Sequence, residues 1–469
     1  MNRAWFFALL LVLLVLARLC HVGVLWPEET LPLAAAAHLR EGRMLYRDIW
    51  FDKPPLVAVT CLVWGARTSV ALRLAGALYA LAACWLAWRF ARDAWGEVEG
   101  RWAASLLAFF LTFDLHSAVL PLAADLLMLV PHLAAVYLAW RGRAFWSGAV
   151  AGVAFLTNAK GLFVLAACSL WVPRALPLLA LGFAAPLTLT GAWLAMQDAL
   201  VPCYEQVWKL GRMYAADTFV ENPLRHGLAR TLSWLGFHAA LAVGALAFWL
   251  RGGEHPRSRW VAWAALSLAA AGLGWRFFPR YFFHLLPVAT LAGARGLALL
   301  GHRRILALAL LVLPLARFGP RYAMLARDLL AHRPHDWADV AMDRDSREAA
   351  VLVSHLAAPG DSLVVWGYRP ELFVYTGLSA ASRFLESQPL TGVIADRHLF
   401  QSRPTLPAAW TAAHLAELAR SRPTFILDGL GPYNPSLAIT SYPQLRDWLG
   451  PYIEVARSRG TVIYRRRGP

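Results

Sequence analysis

Two neighbouring carboxylates, Glu28 and Glu29, follow directly on the apolar run Ala4–Leu25 and open a stretch that predicts a short amphipathic helix ending at Gly42. A carboxylate held partly out of water at a membrane interface has its charged form disfavoured and can take up a proton as a base. The pair also suits an ordinary helix N-terminus, where acids complement the macrodipole. Lys160 separates two apolar runs, Gly148–Leu156 and Gly161–Leu170, a setting in which charge is costly and usually has a function. Only Lys53, Lys160 and Lys209 are lysines in a chain that otherwise uses arginine, so Lys160 points to a compact point charge for a phosphate. The other reading is a lysine that snorkels to the interface. Asp125, in Leu120-Pro-Leu-Ala-Ala-Asp, stands near the outer end of an apolar stretch and is expensive unless used or paired, for instance with Arg73. The segment Arg276-Phe-Phe-Pro-Arg-Tyr-Phe-Phe-His284 adds Arg280, Tyr281 and His284 at one boundary. Tyr281 and His284 suit an interfacial belt, whereas Arg280 calls for a counter-charge or a ligand.

The elements that must position these groups follow from composition. The chain has 469 residues, 59% of them hydrophobic, above the roughly 45–50% of soluble domains, and this excludes an ordinary soluble enzyme. Ala4–Leu25 is long enough to cross a bilayer and lacks a small-residue cleavage site, so it reads as a retained helix. Further apolar stretches, among them 69–88, 118–140, 175–196, 232–250 and 305–316, bring the expectation to about eleven passes. Leu56–Trp64 is too short to span. Every second loop is arginine-rich, which assigns those loops to the cytoplasm and puts loops 26–55 and 197–229, with the C-terminal tail, outside. Of the net charge of +16, thirteen units fall in residues 1–317, so the basicity marks topology and nucleic-acid binding is excluded.

The five cysteines are scattered and form no disulfide framework or CxxC metal motif. There is no Asn-x-Ser/Thr acceptor, in keeping with a bacterial inner membrane. From about 318 the apolar runs shorten. Ser362–Trp366, Thr424–Leu427, Ile453–Ala456 and Thr461–Tyr464 predict strands, and 346–357, 408–420 and 442–449 predict helices. The expected architecture is mainly α: a polytopic membrane helix bundle over 1–317, followed by a small extracytoplasmic α/β domain over 318–469. The tail has no phosphate loop, His/Cys cluster or nucleophile elbow, and is assigned no chemistry.

The acidic pair, Tyr46-Arg47-Asp48 and Asp52-Lys53-Pro54-Pro55-Leu56 resemble the first-loop signature of glycosyltransferase family 39. That is the superfamily of protein O-mannosyltransferases and lipid A aminoarabinose transferases, which have the C-type membrane fold. Ala71-Leu72-Arg73-Leu74, Pro121 to Asp125, Gly148 to Gly161 and Pro279-Arg280-Tyr281 to Pro287 follow in the order of that family's motifs. In the tail, Pro359-Gly-Asp-Ser to Leu372 and Ala381 to Phe384 resemble its bacterial branch. The resemblance implies transfer of a sugar from a polyprenyl-phosphate donor to a lipid, glycan or protein acceptor on the outer face of the membrane. It also implies a first-loop acid as base, with the choice between Glu28 and Glu29 open because the family's Asp-Glu pair is Glu-Glu here. Lys160, Arg280 and Tyr281 match positions facing the carrier phosphate, and Lys53 one near the acceptor entrance.

The residues themselves fit an inverting displacement, with Glu28 or Glu29 as base, Lys160 and Arg280 on the departing phosphate, and Asp125 orienting the sugar or a cation. The carboxylate pair suits a divalent metal by charge, but two sequence neighbours supply no ligand geometry, and no metal site is assigned. Two other readings use the same features: a multi-pass transporter or flippase, and an inactive family member serving as an assembly subunit.

Overall fold

A computed structural model describes residues 2–218, 220–252, 257–331 and 337–467. Phe219 of the 197–229 loop, residues 332–336, and the outermost ends of the two expected segments lie outside the described residues.

The chain is mostly helical with one small sheet. Among the described residues, two helices are long and apolar enough to cross a membrane, Ser69–Trp95 and Leu176–Met196, or up to four if each bent pair is one span. Shorter apolar helices, such as Ala144–Thr157 and Leu286–Leu299, pack among them, and the first helix, Arg3–Leu19, has 17 residues.

Three expected single stretches are broken. The stretch at 118–140 divides into His116–Val119, Ala124–Leu127 and Leu129–Trp140. Pro121 lies in the first gap, and its missing N–H and ring oppose helix continuation. The stretch at 232–250 crosses the corner of a pair, Pro223–Phe237 and Ala239–Arg251, bent by 89°. At the corner, His238 uses Nδ1 on the Trp234 carbonyl at 3.0 Å and places Nε2 3.4 Å from Asp114. The first arm begins inside what the sequence presents as the 197–229 loop. The stretch at 305–316 spans a 46° bend between Gly301–Ala309 and Val312–Ala331, and the latter helix runs on well past residue 317.

Helices Ala144–Thr157 and Leu176–Met196 pack backbone to backbone. A Cβ on Gly182 would stand 2.0 Å from the Phe145 carbonyl oxygen, and one on Gly148 2.0 Å from that of Leu179. Gly182→Val is therefore expected to force the pair apart and destabilise the protein by about 3 kcal/mol, read as a lower thermal midpoint in detergent.

In the tail, β1 (Ser362–Trp366), β2 (Ser379–Ala380), β3 (Phe425–Asp428), β4 (Tyr452–Arg457) and β5 (Val462–Arg466) form a sheet of order β2-β1-β3-β5-β4. The β1 pairings are parallel and those of β5 antiparallel. Four strands match the sequence expectation to within two residues at either end; the two-residue β2 has no pattern to announce it. Alternation gives the sheet two buried faces. Val364, Trp366 and Ile426 join a core that the tail shares with Trp50 and Leu210 of the two outer loops, while Leu363, Val365, Phe425 and Leu427 join the core that continues into the membrane helices. The expected helix at 442–449 is instead a 3-10 turn, Pro443–Leu445, followed by Arg446–Leu449.

The tail is fastened to the first outer loop. The Ala380 N–H donates to His38 Nε2 at 3.0 Å, Arg43 donates to the Ala380 carbonyl at 2.6 Å, and the Trp50 N–H donates to the Arg383 carbonyl at 2.7 Å. The His38 ring accepts from the tail, so Nδ1 carries the proton toward the Ala34 carbonyl, 2.8 Å away. Burial lowers the His38 pKa, with the Ala34 carbonyl opposing this. A histidine depressed in the folded state contributes stability above its unfolded pKa of about 6.5 and loses it as pH falls below that value. The thermal midpoint is expected to drop between pH 7.5 and 5.5, and His38→Gln to flatten that drop; an equal slope in the variant would refute the assignment.

Candidate active site

The helix Pro27–Arg40 starts with Pro27 at its first position, and Glu29 accepts from the Trp26 N–H at 3.0 Å. The same carboxylate receives Arg73 Nη2 at 2.5 Å and Nη1 at 3.3 Å, and the Leu122 N–H at 3.3 Å. The break at Pro121 frees that last donor. Arg73 also donates to the His21 and Val24 carbonyls, so it ties the first outer turn to the Ser69–Trp95 helix. Glu29 is fully buried with both oxygens in use, and serves to hold this corner together.

Glu28 points elsewhere. Together with Lys53, Asp125, Lys160, Arg280 and Tyr281 it lines a cavity of about 520 Å³. Six of the seven sequence candidates thus meet in one place, and Glu29 is the exception. Glu28 Oε1 accepts from Arg280 Nη1 at 2.6 Å, while its buried Oε2 has no hydrogen-bond partner among the described residues. Burial raises the Glu28 pKa; the Arg280 charge opposes this, and Asp125 and Glu29 add to it. Asp125 accepts from Asn158 Nδ2 at 3.0 Å and stands 3.5 Å from Arg280 Nε. The expected partner Arg73 is taken by Glu29.

Lys160 is placed by a turn. The Asn158 side chain accepts from the Lys160 N–H at 3.1 Å, and the next helix starts at Gly161. Only glycine fits at 161, because a Cβ would stand 2.4 Å from the Phe155 nitrogen. Lys160 Nζ is buried, lies 3.2 Å from the centre of the Tyr281 ring, and has no hydrogen-bond partner among the described residues. Lys53 differs, since its ammonium donates to Asp52 at 3.0 Å. Burial lowers the Lys53 pKa, but the Asp52 charge, helped by Tyr368, outweighs this and holds it above the usual lysine range. His284, three residues after Tyr281, is buried outside the cavity lining.

Sequence reasoning missed several wall residues. Asp52 and Asn158 adjoin candidates. Leu210 and Tyr214 come from the 197–229 loop, and Tyr368, Gln388 and Asp396 come from the tail. At the rim, Arg276 donates to Asp396 at 2.8 Å and to the Tyr214 and Asp217 carbonyls at 2.9 and 2.8 Å, with its guanidinium 3.7 Å from the Tyr214 ring centre. Nothing in the tail sequence marks Gln388 and Asp396, and Tyr368 lies in the resembling segment Pro359 to Leu372 with no role attached, because the wall arises only when 368–396 folds back over the loop. No group of three or more His, Cys, Asp and Glu side chains able to hold a metal occurs among the described residues.

The cavity therefore holds a carboxylate oxygen and an ammonium that have no hydrogen-bond partner among the described residues. Such a site can take up a proton from one bound group and neutralise negative charge on another.

No protein-family model and no curated protein matches this chain. Solved structures do match, among them two of ArnT from Cupriavidus metallidurans. The apo state covers 99% of this chain and 98% of its own, at TM-score 0.57 and 15% identity. The state bound to undecaprenyl phosphate has the same coverage, at TM-score 0.60 and 16% identity. The chain thus shares the fold of ArnT over nearly its whole length.

Proposed function

We propose that this protein is a membrane glycosyltransferase that moves a sugar from a polyprenyl-phosphate donor to an acceptor hydroxyl or phosphate of a cell-envelope lipid, glycan or protein. The observation that carries the reading is the meeting of Glu28 Oε2 and Lys160 Nζ, both buried and without hydrogen-bond partners among the described residues, in one cavity. Support comes from the fold shared with ArnT, one of whose structures holds undecaprenyl phosphate.

In the proposed step the acceptor oxygen attacks the anomeric carbon from the face opposite the phosphate, so configuration inverts. The bond from that carbon to the phosphate oxygen breaks, and its electron pair leaves with the phosphate. Where the acceptor is a hydroxyl, its proton passes to Glu28 Oε2. Lys160 neutralises the departing phosphate as a point charge. Arg280 holds Glu28 and Asp125 in register, and Asp125 orients the sugar. Lys53, bound to Asp52, lines the acceptor side. The chain would cross a bacterial inner membrane about eleven times, with loops 26–55 and 197–229 and the 318–469 domain outside.

The test compares lipid-linked sugars and envelope glycans by mass spectrometry with and without the gene, together with transfer by the purified protein. Accumulation of a polyprenyl-phosphate sugar on deletion, with its sugar transferred in vitro, is expected. An unchanged sugar pool and no transfer from any polyprenyl-phosphate sugar would overturn the reading.

A further inference from the structure

Three polar side chains outside the proposed reaction are buried together where the Arg3–Leu19 helix ends. Arg18 is fully buried; among the described residues its Nη1 reaches the Leu14 carbonyl at 3.5 Å, and Nε and Nη2 have no acceptor. The space for its guanidinium is left by Gly76 on the Ser69–Trp95 helix, where a Cβ would stand 3.4 Å from Arg18 Nε. His21 follows in the turn and His116 comes from the short helix His116–Val119, with their ring centres 4.7 Å apart. Both imidazoles are buried, and all four ring nitrogens are without hydrogen-bond partners among the described residues. Tyr322 closes the group, its ring edge-on to both imidazoles at 5.7 and 4.9 Å.

The carboxylates around this group are committed elsewhere. Glu29 is held by Arg73 and two backbone N–H groups. Asp114 faces His238 at 3.4 Å, and Asp339 pairs with Arg321 at 2.7 Å. A buried guanidinium without a counter-charge is strongly unfavourable, and each neutral imidazole adds an N–H donor that also needs an acceptor. We propose that Arg18, His21 and His116 hold a small inorganic anion of the halide type as an internal counter-ion. Two imidazoles invite comparison with a transition-metal site, but the neighbouring guanidinium repels a cation, and no third metal-binding side chain converges there among the described residues. Complete burial favours a desolvated monatomic ion over a lipid headgroup.

The probe is bromide, used on the full-length protein in detergent. At constant ionic strength, exchanging gluconate for bromide is expected to raise the thermal midpoint by several degrees, and anomalous diffraction to show a bromide peak beside Arg18 and the two imidazoles. Arg18→Met, which keeps the bulk and removes the charge, is expected to abolish the bromide-dependent rise. If that variant does not fold, His116→Gln replaces it, with a rise reduced at least twofold expected. Equal midpoints in the two salts, a rise that persists unchanged in the variant that folds, or density for water alone at the cluster would each overturn the proposal. None of these readouts uses sugar transfer, so the outcome is independent of the proposed reaction.

Discussion

Glu28→Gln is expected to lower sugar transfer by roughly 10²–10⁴-fold, the usual contribution of a positioned general base, while leaving the amount of folded protein unchanged. The amide keeps the shape and can still accept from Arg280, but its nitrogen replaces an oxygen able to take a proton. The pH dependence gives a second readout. Burial pushes the Glu28 carboxyl above the usual carboxylate range, and a base works only when deprotonated. Activity in the intact protein should therefore rise with pH along a limb displaced upward from the ordinary glutamate value of about 4.3. Glu28→Gln should remove that limb along with most of the rate. Glu29→Gln is expected to behave differently. It breaks a buried ion pair with Arg73 and leaves the guanidinium short of charge, a loss of about 3–5 kcal/mol. Its signature is a lower thermal midpoint and less folded protein. Normal transfer by Glu28→Gln, with transfer lost in a folded Glu29→Gln, would reverse the two roles.

Lys160→Ala is expected to reduce transfer by about 10²–10³-fold, the range seen when one preorganised group that stabilises developing negative charge is removed. The larger part should fall on kcat, since charge on the phosphate grows as the bond to the sugar breaks. Stability should be nearly unchanged or improved, because the substitution removes an ammonium whose burial has no hydrogen bond in return. Lys160→Arg tests the need for a compact charge. The planar guanidinium is larger than the ammonium above the Tyr281 ring and should restore only part of the rate. Full activity in Lys160→Ala would remove the lysine from the mechanism.

Much of the site can be read from the sequence because charge in an apolar setting is conspicuous. Lys160, Asp125 and Arg280 stand out in this way without any knowledge of the fold. The division of labour between Glu28 and Glu29 is different in kind. It depends on Arg73, more than forty residues along, and on a backbone N–H released by Pro121, neither of which local spacing reports. The strands were legible by alternation and flanking turns, and their ends shift by one or two residues because pairing sets them. Helix direction was not legible. The apolar composition of Pro223–Arg251 carries no record of the 89° corner at His238, which depends on contacts with Trp234 and Asp114.

Tyr368, Gln388 and Asp396 complete a cavity whose other charged groups belong to the first 281 residues. A chain cut short before residue 368 would keep every one of those charged groups and lose one side of the vessel around them. For the same reason a chimera that exchanged only the C-terminal part between two such proteins would alter the shape offered to the reactants. Selectivity could thus change hands while the reacting groups stayed the same.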